Sequence, residues 1–113
     1  MLYTKEVPPL TKRLTPNRAY SELSPKMKVA LRILEHNELE QEDTHFSELV
    51  DDMQSVVSRK TIHEALDSLI DQGTLSSEWI QKNDNRWVRG YKPASEGMKR
   101  LLRRAYYATH DDV

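Results

Sequence analysis

Residues 46–75, FSELVDDMQSVVSRKTIHEALDSLIDQGTL, carry two apolar stripes of helical period separated by a polar break. In the first, Phe46, Leu49, Val50 and Met53 recur at the three- and four-residue spacing that lines one face of a helix, with Ser47 as its expected cap. Gln54 to Val57 is the break. Ser58 is an N-cap residue type, and Ile62, Ala65, Leu66, Leu69 and Ile70 form the second stripe. Gly73 suits the left-handed residue that stops a helix. Two helices joined by a tight break make a helix-turn-helix arrangement.

Downstream the period changes to that of strands. Leu75 to Lys82 and Arg86 to Lys92 flank the turn composition Asn83-Asp84-Asn85, which predicts a β-hairpin. A three-residue loop sets Lys82 opposite Arg86 and Ile80 opposite Val88. Trp79, Trp87 and Tyr91 then share one face, and Ile80 and Val88 the other. A small domain needs aromatic area, so these aromatics are expected in the core and not as a stacking platform for single strands. Pro93 ends the second strand. Ser95 caps a last helix carrying Met98, Leu101, Leu102 and Ala105, and residues 109–113 read as a flexible tail.

Upstream, His45-Phe46 suggests a short strand and Glu38 to Asp43 a solvated acidic connector. Ser24-Pro25 opens a helix with Met27, Ala30, Leu31 and Leu34, expected to end near His36-Asn37. Thr15-Pro16 looks like another helix start, running to about Leu23. Residues 1–14, with Pro8-Pro9, read as an extended arm. The expected fold class is mainly α with a small β-hairpin, an α+β winged helix-turn-helix, with one domain over residues 15–108.

The run Phe46 to Leu75 resembles the core of small winged-helix regulators of the MarR, PadR and ArsR kinds. Val57-Ser58-Arg59-Lys60-Thr61-Ile62 is similar to the start of their recognition helix, and Leu69 to Leu75 to its exit toward the wing. Tyr91-Lys92-Pro93-Ala94-Ser95-Glu96-Gly97 is similar to the stretch that closes the wing, although Pro93 and Ala94 replace its usual apolar residues. The resemblance covers roughly residues 25–105. It implies double-stranded DNA as partner, a role in transcription regulation, and homodimers formed through terminal helices.

Composition sets the outer limits. The chain has 113 residues, no cysteine and three glycines. Disulfides and thiolate metal sites are excluded, which fits a reducing cytoplasm, and no apolar run is long enough for a membrane. The net charge of −1 hides segregation. Residues 1–32 hold seven basic against two acidic side chains, residues 86–104 seven against one, and residues 33–85 three against thirteen. Such polarity favours nucleic acid if the basic segments share a face.

The candidate DNA-binding residues are Ser58, Arg59, Lys60, Thr61 and His63 on the recognition helix, and Lys82, Arg86 and Arg89 on the wing. Arginine and lysine donate to guanine edges in the major groove, and a helix N-terminus favours phosphate. The wing and the arm are expected to hold phosphates. Ordinary solvated charges are the competing reading at each position. A second function class is a winged helix that binds another protein through the acidic segment from Glu35 to Asp52. His36, His45, His63 and His110 lack the helical i, i+4 spacing of metal-binding pairs, so no metal or cofactor is expected. No phosphate loop or catalytic triad is legible, and the expectation is of a binding protein, not an enzyme. No effector is legible either. The last helix, with Tyr106 and Tyr107, offers more apolar surface than a closing helix needs, which favours a dimer.

Overall fold

The computed structural model of the chain describes residues 7–112. In chain order the elements are β1 (Thr15–Pro16), α1 (Arg18–Ser21), α2 (Pro25–Glu40), β2 (Thr44–His45), α3 (Phe46–Met53), α4 (Arg59–Asp71), β3 (Leu75–Gln81), β4 (Trp87–Pro93), α5 (Glu96–Thr109) and β5 (His110–Asp111). They form the expected α+β winged helix. β2 adds to the free edge of β4, giving the antiparallel order β2-β4-β3, and β1 pairs with β5 in a second, two-stranded sheet. Among the described residues no helix is long and apolar enough to cross a membrane.

The core is built on α2, which buries Val29, Ala30, Leu31, Ile33 and Leu34. Leu49 and Met53 of α3, Ile62, Leu66 and Leu69 of α4, Leu75 of β3, and Leu102 and Tyr106 of α5 complete it. Each large aliphatic side chain buried in this way stabilises by about 1.5–3 kcal/mol. Ser24 caps α2 by accepting from the Met27 N–H at 3.2 Å, with Pro25 at the first position. α2 does not stop at His36-Asn37. It runs to Glu40 and ends at Gln41 in the left-handed region (φ 56°). The extra turn carries Glu38, which lies in a bidentate ion pair with Arg103 of α5. An acidic stretch read as solvated connector is therefore partly helix, because its charge has a partner.

The ends of the chain differ most from expectation. Thr15-Pro16 does not open a helix; it is strand, and Asn17 caps α1 by accepting from the Ala19 N–H at 2.8 Å. The reason is the partner strand: His110 and Asp111, placed in the expected tail, pair with Pro16 and Thr15. Thr109 and His110 are buried, and the His110 ring stacks on Tyr106 with centroids 3.9 Å apart. The arm is also fastened. Leu10 is in the core cluster, the Leu14 N–H donates to the Tyr106 hydroxyl at 3.0 Å, and Lys12 meets Asp112 at 2.8 Å. Residues 1–6 of the arm, including Lys5, lie outside the described residues.

On α5 the buried side chains are Leu102, Arg103, Tyr106 and Thr109. Leu101, expected in the apolar stripe, is 56% exposed. The stripe is rotated because Arg103 turns inward to reach Glu38.

Burial raises the Glu38 carboxyl, but the hydrogen bond and charge of Arg103 outweigh it and hold the group below its ordinary range. The pair therefore stabilises the fold at neutral pH, and that contribution is lost as pH falls through the lowered folded value. Arg103→Ala should cost about 3 kcal/mol by leaving a desolvated carboxylate. Adding Glu38→Met should restore most of it. Urea melts at neutral pH and near pH 3 check this, and the Arg103→Ala deficit should shrink in acid.

Candidate nucleic-acid interface

Ser58 fixes the start of α4. Its Oγ accepts from the Thr61 N–H at 3.2 Å and donates to Thr61 Oγ1 at 2.8 Å. The first turn of α4 contains no acidic residue. Arg59, Lys60 and His63 are exposed, Thr61 is half-buried, and Ile62, Ala65, Leu66 and Leu69 face the core. The apolar stripe thus turns the basic residues outward. Arg59 is placed further by Phe46 of α3: its guanidinium lies 5.3 Å from the Phe46 ring centroid, and the His63 ring centroid lies 5.6 Å from it. Phe46 was read as a core residue of α3. It is half-buried and supports the two outward side chains one helical turn apart on α4. Lys60 is 3.9 Å from Glu64, and His63 is 3.8 Å from Asp67. Phe46, Arg59, Lys60, His63, Glu64 and Asp67 together line an open depression.

Gly73 sets the exit from α4. Its φ of 76° suits glycine, its N–H donates to the Ile70 carbonyl, and the Thr74 N–H donates to the Leu69 carbonyl. The chain turns directly into β3. In the hairpin Ile80 opposes Val88, and the Lys82 N–H donates to the Arg86 carbonyl at 2.7 Å, as the loop length predicted. Asn85 takes the left-handed position of the loop (φ 66°).

The hairpin face shared by Trp79, Trp87 and Tyr91 was expected to be wholly core. Only its base is. Leu75, Tyr91 and Pro93 are buried, whereas Trp79 is 62% and Trp87 61% exposed. The alternation is right, but the strands extend past the helices, so the same face emerges into solvent toward the tip. Burial raises the Tyr91 hydroxyl pKa; Arg89 opposes this and Asp67 of α4 adds to it. At its base this face packs with α4: Leu75 and Tyr91 belong to the same core cluster as Ile62, Leu66 and Leu69. Arg89 lies over Trp79, 5.6 Å from the ring centroid. Lys82 is half-buried. Arg86 is engaged at the tip: its Nε lies 2.5 Å from Asp84 Oδ2. Hydrogen bonds from Arg86, backbone first, hold the Asp84 carboxyl below its ordinary range.

Many of the segregated charges neutralise one another within the domain. Arg13 meets Glu35 at 2.9 Å, Arg32 bridges Glu35 and Asp52, and Arg103 holds Glu38. The acidic segment Glu35–Asp52 is thus partly consumed by the basic ones. Arg59, Lys60 and His63 of α4 and Arg86 and Arg89 of the wing are exposed, as are Arg18 of α1 and Arg100 and Arg104 of α5. The histidines are also regrouped. His36 of α2 and His45 of β2, nine positions apart, both meet Glu48 of α3, at 3.3 Å and 2.6 Å. Spacing along single helices could not reveal this meeting. Burial lowers the pKa of His45, with Glu48 opposing.

No family model matches the chain, and no curated protein matches it. Among solved structures it is similar to the crystal structure of Pex from Synechococcus sp., at 20% sequence identity and a TM-score of 0.55. The likeness covers 76% of this chain and 81% of that one, and is one of fold.

Trp79 and Trp87 are the two tryptophans of the chain, so its indole emission reports the wing alone. Emission is expected at the wavelengths of hydrated indole, with ready quenching by acrylamide. Trp79→Phe and Trp87→Phe should each change stability by no more than about 0.5 kcal/mol.

Proposed function

We propose that the chain binds double-stranded DNA sequence-specifically as a transcriptional regulator, with α4 in the major groove and the hairpin as wing. The observation that carries this reading is the start of α4. A capped helix N-terminus presents Arg59, Lys60 and His63 to solvent, with no acid in the first turn and with Arg59 supported on Phe46. A helix N-terminus already favours phosphate, and arginine or lysine beside it can donate to guanine O6 and N7. Asp67 and Asp71 further along α4 would be repelled by phosphate, so the first two turns enter the groove. Lys82, Arg86 and Arg89 meet the backbone. Trp79 and Trp87 flank them as apolar surface against the sugars. Arg86 reaches phosphate by exchanging Asp84 for it.

Binding to a duplex selected from a random pool, followed by anisotropy at several salt concentrations, tests this. Affinity should fall steeply with salt through counterion release. Arg59→Ala should weaken binding by about 1–3 kcal/mol, roughly 5- to 150-fold, and relax specificity at one base pair. Arg86→Ala should weaken all duplexes alike and lower the salt slope by about one. Parental affinity in both variants would exclude this interface. Absence of duplex binding at low salt would favour the protein-binding alternative.

The regulator is proposed to act as a homodimer through α5. Leu101 stands exposed on that helix with Met98 and Ala105 beside it. A twofold dimer would place two copies of α4 about 34 Å apart, one helical turn of DNA. Leu101→Asp should give a folded monomer by light scattering, because the side chain is outside the core. A parental protein that is itself monomeric at micromolar concentration would rule out the dimer.

A further inference from the structure

A cluster unrelated to α4 and the wing tip lies where α2, the connector after it and α3 meet. His36 is on the last full turns of α2, Glu42 is in the connector just past the left-handed Gln41, and Glu48 is in the first turn of α3. His36 Nε2 lies 3.2 Å from Glu42 Oε1 and 3.3 Å from Glu48 Oε2. The three donor atoms all fall within 4.8 Å of one another. We propose that His36, Glu42 and Glu48 bind a divalent first-row transition ion, best matched by zinc, with solvent at the remaining position.

Distances, chemistry and surroundings support the site. Donors on a tetrahedral zinc ion sit about 2.0–2.1 Å from the metal, which puts any two of them about 3.3–3.4 Å apart. The two His36 separations are close to that length, and the Glu42 and Glu48 oxygens, within 4.8 Å of each other, would close on the ion. One imidazole with two carboxylates is a donor set that suits zinc better than calcium or magnesium, which take oxygen alone. Glu48 is held in place from outside. Its Oε1 is 2.6 Å from His45 Nε2, and His45 Nδ1 is 2.8 Å from Ser47 Oγ. A neutral His45 donates from Nε2 to Glu48 and accepts the Ser47 hydroxyl at Nδ1, leaving Glu48 Oε2 aimed at His36. Outer-shell contacts of this kind orient ligands at built metal sites. His36 and Glu48 are largely withdrawn from solvent while Glu42 is open, so an ion enters from the connector side.

A bound ion ties the end of α2 to the first helix of the helix-turn-helix. The site stands independently of whether the chain binds DNA. The full chain, stripped with a chelator and dialysed, is titrated with zinc by calorimetry and by thermal melting, and with cobalt as a spectroscopic probe. One zinc per chain is expected, with the visible absorption of four-coordinate cobalt. The melting temperature should rise by roughly 10 °C at about a hundredfold excess over Kd. Glu42→Gln removes an exposed ligand and should leave the metal-free melting temperature unchanged, yet weaken zinc at least tenfold. His36→Ala should weaken zinc at least as much, whatever it does to the metal-free melting temperature. His63→Ala, on α4, should bind as the parent does. No binding, or parental affinity in both Glu42→Gln and His36→Ala, would overturn the site.

Discussion

Two carboxylates on the central helix govern how this domain closes. Glu35 is 6% exposed and Glu38 is paired beneath α5, so neither is solvated by bulk water. A desolvated carboxylate must find donors within the fold. Glu35 finds Arg13 from the arm, Arg32 from its own helix and the Tyr106 hydroxyl from α5. Glu38 finds Arg103. These partners come from both ends of the chain, so satisfying α2 draws the arm and α5 onto one helix. The β1–β5 pair and the His110–Tyr106 stack then follow as the seal over that junction. Burial, and then the hydrogen bond to Glu35, hold the Tyr106 hydroxyl protonated far into alkali.

With the ends committed to α2, the first turn of α4 and the wing tip remain exposed. Gly73 directs the chain from one to the other without an intervening loop. Gly90 lets the connector lie close to β4: a Cβ there would come within 2.8 Å of Asp43 Cβ. The hairpin is thus gripped at its base by β2 and the core and stands free at its tip. Exposed Trp79 and Trp87 are a consequence of that overhang and not of a failed core.

The charge distribution acquires a different meaning in three dimensions. A chain with basic ends and an acidic middle can direct its bases toward a nucleic acid or toward its own acids. Here the bases of the arm, α2 and α5 that meet Glu35, Glu38, Asp52 and Asp112 serve the fold. The pairs on Glu35 and Glu38 are shielded and depend little on salt, whereas the exposed Lys12–Asp112 pair and other exposed charges respond to it. Part of the basic charge of the arm, α2 and α5 is thus engaged within the domain, while α4 and the hairpin present Arg59, Lys60, Arg86 and Arg89 to solvent and Arg18, Arg100 and Arg104 are exposed elsewhere.

The helix-turn-helix, the Ser58, Ser24 and Ser95 caps, the Gly73 stop and the hairpin register were legible in the sequence, because each depends on local periodicity, capping or turn length. The outward position of Arg59, Lys60 and His63 was legible for the same reason: it follows from the stripe on the other side of one helix. What tertiary structure alone decided were matters of partners distant in sequence. Whether Glu38 is solvated depends on Arg103, sixty-five residues away. Whether Thr15-Pro16 starts a helix depends on His110-Asp111. Whether Trp79 is covered depends on how far the helices reach along the hairpin, and whether His36 and His45 meet depends on how α2 and α3 cross. Local pattern fixes which way a side chain faces along its own element, but the neighbour it faces is set by the packing of elements.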